Sequence, residues 1–345
     1  MYKRQFNDSY FGVVDAETRA RGNCNFPHNS IMIQTTVGGS LGETDDDLRW
    51  LVDYIQTNDP DGEGYYQAYT HIAPDETIME ETDEEHFYQI GGATIFDNNG
   101  VKELQMLWGE IDNHEGKMTR TGTCLAVYSL EGQPGNSTYL KRISKNEEFN
   151  TDDVGYGSTI WKDEDGHIYL YVTENNRPLV ARTTTHDLTS EWEYYIRDLS
   201  GNFMWQKMYP TKEERTRSTI MENNYVCSMP QIFKKGDYYY MIGQAVSYGH
   251  SVYLYRGETP YGPFTDQKIL FNVPYSVDKI GNQYYKNLLR VNLHLELARE
   301  GELVFSTNTD ADTAGDNFDF PGSADFCRPY FYRIFNWESI YDEDD

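Results

Sequence analysis

The chain has 345 residues with 29 Lys and Arg against 56 Asp and Glu, a net charge of -27 at pH 7. Such a charge repels DNA, RNA and anionic membrane surfaces, so those partners are excluded. No apolar run is long enough to span a bilayer, and four cysteines without CxxC spacing exclude a disulfide scaffold and a thiolate metal site.

In chain order, Met1 to Asn7 lacks the apolar stretch of a signal peptide. The compartment then depends on whether an upstream segment has been removed: extracellular or periplasmic if so, cytoplasmic otherwise. Asn7 to Gly12 and Ser30 to Gln34 read as the first strands, with a turn region around Arg21 to Asn25. Residues 38–86 break the pattern. They hold Asp45-Asp46-Asp47, Asp59-Pro60-Asp61-Gly62 and Glu80 to Glu85, and the apolar stretch Leu48 to Ile55 predicts a short helix. Asp-rich loops of this kind suit a structural calcium ion, here or in a central funnel, although the EF-hand spacing is missing.

Four hairpin signatures follow: Ala93 to Gly109, Thr159 to Glu174, Gln231 to Gln244 and Leu295 to Asp310. Each is an apolar, aromatic or β-branched run, a polar turn with glycine, and a second such run. The turn glycines Gly100, Gly166, Gly236 and Gly301 lie 66, 70 and 65 residues apart. A fixed period of that size marks stacked modules. Outer-strand pairs follow the first three hairpins, in Thr123 to Ile143, Leu179 to Ile196 and Ser251 to Phe271, and Arg328 to Phe335 supplies the third strand of the last module. About five units of roughly 67 residues fill the chain, which predicts an all-β, five-bladed β-propeller of four-stranded antiparallel blades. No linker divides it, so residues 1–345 read as one domain with the acidic insertion at about 38–86.

In a propeller the innermost strand of each blade starts beside the central channel, and the second strand returns to that same face. Residues far apart in sequence therefore converge on one funnel. Asp8 lies between aromatics in Phe6-Asn7-Asp8-Ser9-Tyr10-Phe11, where a carboxylate needs either a functional or a hydrogen-bonding reason. Glu110 leaves the apolar strand Leu104 to Trp108 among Asp112, His114 and Glu115; Glu174 ends the next second strand in the same way. Cleaving a glycosidic bond needs two carboxyl groups flanking it. The pattern assigns Asp8 as nucleophile or base, Glu110 as general acid and Glu174 as the alternate acid. Asp153, Tyr156, His294, Asn308 and Arg328 would position the sugar, and no metal is assigned to the reaction. The bland alternatives are a structural Asp8, solvated loop carboxylates and a core His294. No GxSxG, HExxH, GxxxxGK[ST] or strand-placed GxGxxG is present.

Cys227 to Met241 followed by Ser251 to Phe264 resembles the fourth blade of glycoside hydrolase family 43. Cys227-Ser228-Met229-Pro230 stands where that family usually has a glutamate before Gly-Pro, and no opening Asp-Pro-Asp occurs near the N-terminus, so that family's acid does not carry over. The opening FNDSYFG, the later PHNSIMIQ, the middle GYGSTIWKDEDGHIYLYV and the closing HLEL, GELVFSTNT and RPYFYRI more closely resemble bacterial propeller families once labelled domains of unknown function. That group includes the endo-D-arabinanases of glycoside hydrolase family 183, and the likeness spans most of the chain. Its members open with a strand ending in Gly-Asp-Ser/Thr, which Asn7-Asp8-Ser9 matches except at Asn7. The resemblance implies that Asp8 is a catalytic or substrate-binding carboxylate. Together these readings give a bacterial glycoside hydrolase of polysaccharide degradation, acting on furanosides or related glycans. The rival is a non-catalytic propeller that binds a glycan or a protein through the same funnel.

Overall fold

The computed structural model describes residues 2–7, 9–25, 28–34, 36–37, 40–41, 48–50, 53–57, 65–69, 84–132, 140–150, 154–221, 225–246, 249–273, 279–280, 283–284, 287–311, 313–318 and 320–344. It is all-β, built from the up-and-down antiparallel sheets of a propeller. The chain divides into two compact units, residues 1–13 with 22–155 and residues 14–21 with 156–345.

Among the described residues the first unit holds two sheets of three or more strands, beside short two-stranded pairs. One pairs β1 (Tyr2–Asn7), β2 (Asn29–Gln34) and β3 (Leu48–Trp50) in that order. The other is a four-stranded meander of β4 (Glu84–Asn98), β5 (Val101–His114), β6 (Lys117–Ser129) and β7 (Arg142–Asn150). Alternate residues of β4, β5 and β6 bury Tyr88, Ile90, Leu104, Met106, Trp108, Cys124, Ala126 and Tyr128 against Ile31 of β2. The period of two explains which half of each strand is apolar.

The second unit stacks three meanders in chain order. They are β8 (Thr159–Lys162), β9 (Ile168–Glu174), β10 (Arg177–Thr183), β11 (Trp192–Arg197) and β12 (Phe203–Gln206); β13 (Cys227–Lys235), β14 (Tyr238–Gln244), β15 (Ser251–Gly257) and β16 (Thr265–Asn272); and β17 (Asn287–Leu293), β18 (Glu302–Asp310) and β19 (Pro329–Phe335). Tyr169, Tyr171 and Val180 of the first meander pack with Ile232, Tyr239, Met241 and Tyr255 of the second. Phe233, Tyr240 and Leu254 pack in turn with Val291, Leu303 and Phe305 of the third, under Trp337 and Tyr341.

Each expected turn glycine sits in a turn with positive φ: Gly100 at 89°, Gly166 at 96°, Gly236 at 59° and Gly301 at 75°. The described residues form four blade meanders where the period predicts five. The first repeat does not read as a continuous meander, because its three paired strands come from segments separated by long insertions. Within residues 38–86, Leu48–Trp50 and Asp53–Thr57 are strands and not the expected helix. Trp50, Val52, Tyr54 and Ile55 are aromatic or β-branched, and that composition favours the pleated form. The acidic runs around Asp45 and Asp61, and residues 80–83 of the third, lie outside the described residues. The last hairpin also starts earlier than expected: its first strand ends at Leu293, and Leu295–Leu297 is a 3-10 turn. Among the described residues no helix is long and apolar enough to cross a membrane.

Candidate functional site

The first unit gathers ionisable side chains on one face of the β4–β5 hairpin. Its register pairs Asn98 with Val101 at the turn, but Gly91 and Gly92 together oppose Leu107, so Ile90 pairs with Trp108. That bulge shifts β4 by one residue and turns its side chains over. Tyr88 then lies opposite Glu110, and His86 opposite Asp112. The four side chains share one face and touch. His86 Nδ1 is 2.7 Å from Asp112 Oδ1, and its Nε2 is 3.4 Å from Glu110 Oε1 and 3.3 Å from the Tyr88 hydroxyl. Glu110 is 21% exposed and His86 32%, so a ligand can reach both while the Trp108 and Tyr128 layer below stays dry.

The N-terminal strands reach the same place. Asn7 pairs with Asn29, and the Ser9 and Ser30 hydroxyls lie 2.8 Å apart. Asn29 Nδ2 donates to the carbonyl of Tyr88 at 2.8 Å, and His28 stacks on Phe87 at 3.6 Å. The residues on either side of Asp8 are thus tied to β2, which is tied to the strand carrying His86. Asp8 itself, like Asp153, lies outside the described residues.

The other expected site residues belong to the second unit, and they do not assemble into one group. Glu174 ends β9 as expected, but both its oxygens accept from Arg215, at 3.1 Å each. Arg215 is buried, on a short helix (Lys212–Arg217) that starts with a Thr211–Glu214 capping box. A carboxylate gripped on both oxygens is poorly placed to hand a proton to a sugar. Tyr156 is buried rather than open, its ring edge-on to Tyr194 at 5.2 Å and Tyr209 at 6.3 Å.

His294 follows the end of β17, so it stands beside the wrong end of its strand for the expected funnel. Its Nε2 bonds the buried Ser306 hydroxyl at 2.8 Å, and Nδ1 lies 3.6 Å from Glu296. Asn308 sits between Leu289 and Pro329 near the opposite end of the same sheet. Arg328 donates to Asp325 at 3.0 Å on the surface, a carboxylate also held by Arg19. Among the described residues no group of three His, Cys, Asp or Glu side chains is arranged to hold a metal ion.

Reasoning from the sequence reached Glu110 and Asp112 but missed His86 and Tyr88. The tandem Gly91-Gly92 inside a strand was the available signal, since glycine pairs there mark bulges. It also missed Arg215, which carries no local signature.

A family model described as a domain of unknown function, DUF5005, matches residues 4–337. The chain belongs to this DUF5005 family. A crystal structure of a candidate hydrolase from Bacteroides ovatus ATCC 8483, at 2.80 Å resolution, is similar at 52% identity and a TM-score of 0.88, covering 99% of this DUF5005 chain and 84% of that one. Fainter likenesses include a xylan β-1,4-xylosidase from Bacillus halodurans C-125 (12% identity, TM-score 0.40, covering 90% of this chain and 49% of that one). Another is an exo-β-1,3-galactanase from Phanerochaete chrysosporium (10% identity, TM-score 0.38, covering 79% and 51%). Neither carries weight for chemistry. No curated protein matches.

Proposed function

We propose that this DUF5005 protein is a glycoside hydrolase whose general acid is Glu110 and whose nucleophile or base is Asp8. The carrying observation is the chain of side chains Asp112, His86, Glu110 on a half-buried hairpin face, with the Tyr88 hydroxyl beside it. His86 joins the two carboxylates, with Nδ1 against Asp112 and Nε2 against Glu110. A proton held on this chain of side chains is delivered through Glu110 to the leaving-group oxygen when a substrate binds. Asp8 then attacks the anomeric carbon or activates a water, and the carboxylate separation sets retention or inversion. The 52% identical Bacteroides protein, described as a candidate hydrolase, is consistent with this reading.

The resemblance to family 183 points to furanoside-containing plant or bacterial-wall glycans. Asp153, Asn308 and Arg328 remain candidates for holding them, whereas Tyr156 is buried and His294 stands at the other end of its strand. The three-stranded sheet β1–β2–β3 is proposed as the fifth blade of a single propeller. An experimental structure with that sheet outside the ring would remove the fifth blade.

The test is a screen of arabinan, arabinogalactan, xylan and galactan oligosaccharides, with products read by mass spectrometry. Glu110→Gln and Asp8→Asn should each lower turnover by about 10²-fold or more while the protein stays folded. Near-normal turnover in either variant takes that residue out of the mechanism. Binding without products would favour a non-catalytic glycan receptor, a reading supported by Cys227-Ser228-Met229-Pro230 in place of the family 43 glutamate.

A further inference from the structure

Gly109 is a glycine in a buried strand, beside the proposed acid, with no conformational need to be one. Its φ is not among the positive ones, so any residue could take its backbone shape. Glycine in a strand interior costs stability and leaves nothing to pack. What explains it is Arg120: a Cβ on Gly109 would overlap the guanidinium, at Nη1. The same group presses on Gly155, where a Cβ would come within 2.6 Å of Cζ. Gly155 also has φ +83°, so there both shape and space demand glycine.

Arg120 comes from β6, next to the bulge that separates the Glu110–Gly122 pair from the Ile111–Arg120 pair. Its Nη2 donates to the buried Thr123 hydroxyl at 2.8 Å. The guanidinium is therefore anchored by Thr123 and fills the space that a Cβ on either glycine would need. Gly109 leads directly into Glu110. Gly155 follows Asp153 by two residues. A planar group with fixed donors suits this use, which a flexible ammonium would not serve.

We infer that Arg120 is a positioning residue, wedged between Gly109 and Gly155, that holds the end of the strand carrying Glu110 against the segment that follows Asp153. The inference rests on Glu110 as the general acid. Arg120 touches no reacting atom in this role. It acts by fixing where two carboxylate-bearing segments stand, and in catalysis a displacement of about 1 Å costs on the order of 10²-fold in rate.

The experiment has two arms. Full-length wild type, Gly109→Ala, Arg120→Ala, Arg120→Lys and the Gly109→Ala/Arg120→Ala pair are compared by amide hydrogen exchange, which needs no substrate, and by kinetics on the arabinan, arabinogalactan, xylan and galactan oligosaccharides. Gly109→Ala and Arg120→Ala should each speed exchange in residues 108–112 and in 154–157 together. Each should lower kcat by about tenfold with KM within about threefold, and the double variant should be no slower than Arg120→Ala, because the alanine acts only by displacing the guanidinium. Arg120→Lys should fall between and covers the case in which Arg120→Ala does not fold. Unchanged exchange in either segment, additive losses in the double variant, or kcat within twofold of wild type overturns the inference. If the wild type turns over none of the oligosaccharides, the reading of Glu110 as acid fails, and the paired exchange effect alone decides whether Arg120 couples the two segments.

Discussion

Arg215 holds both carboxylate oxygens of Glu174 at 3.1 Å, the arginine 5% exposed and the glutamate 18%. The fork geometry makes this a structural pair, built by the helix Lys212–Arg217 against the end of β9.

Removing Arg215 leaves a largely buried carboxylate without its cation. Arg215→Ala should lower unfolding free energy by about 3 kcal/mol, measured by denaturant unfolding at pH 7. Glu174→Gln should keep turnover within about threefold, where Glu110→Gln loses about 10²-fold. A Glu174→Gln loss as deep as that of Glu110→Gln would return Glu174 to the role of acid.

The hairpins were legible in the sequence because turn chemistry and side-chain periodicity are local. Gly100, Gly166, Gly236 and Gly301 mark their turns whatever packs around them. The candidate site was legible only in part, because one feature lies between local and global. Reflecting residues about the Gly100 turn puts Gln89 opposite Glu110; the Gly91-Gly92 bulge replaces it with Tyr88 and exchanges the two faces of β4 below it. Glu174 shows the other limit. Its partner comes from a helix 41 residues away, a contact decided by packing that no spacing rule foretells. His294 follows the strand Asn287–Leu293 instead of opening one, a matter of register rather than of composition.

The turn glycines themselves give a second prediction. At Gly100 and Gly166 a Cβ would meet nothing within 4 Å, so the only obstacle to a side chain is φ near +90°. Gly100→Ala and Gly166→Ala should each cost about 1 to 2 kcal/mol in thermal or denaturant unfolding. Gly100→Asn should cost less, since asparagine tolerates the left-handed region. Equal losses for alanine and asparagine would mean that something other than backbone conformation is at work.

A third concerns the contact between two neighbouring meanders. Tyr239 on β14 donates its hydroxyl to the buried Asp163 carboxylate, 3.0 Å from each oxygen, beside Trp161 Nε1 at 2.8 Å. Burial first, and then the hydrogen bond to Asp163 and its charge, push Tyr239 up to about 12 from 10.0. The folded state thus binds this proton more tightly than the unfolded chain does. Its contribution to stability is complete below pH 10 and is lost as the pH rises towards 12. Tyr239→Phe should cost about 1 to 3 kcal/mol at pH 8, by leaving Asp163 one donor short. The gap between wild type and variant should narrow as unfolding is repeated from pH 10 upward, and a gap that widens there would reverse the assignment.

The last prediction tests the chain of side chains at the site. His86 contacts both Asp112 and Glu110, so it is the partner against which the acid rests when no sugar is bound. His86→Ala removes that resting partner and the ring packed edge-on against Tyr88 at 5.2 Å. Turnover should fall by about 10². Asp112→Asn keeps a hydrogen-bond acceptor for Nδ1 but removes the charge, and Asp112 is 54% exposed, so water already screens it. Its loss should be smaller, about threefold to tenfold. Tyr88→Phe removes one hydroxyl at 3.3 Å from Nε2 and leaves the packing intact, so it should resemble Asp112→Asn. The order His86→Ala, then Asp112→Asn and Tyr88→Phe, read as kcat on one oligosaccharide, follows from the geometry. If Asp112→Asn proved the most damaging, Asp112 itself would be the carboxylate that meets the substrate, and Glu110 would become its neighbour in the mechanism.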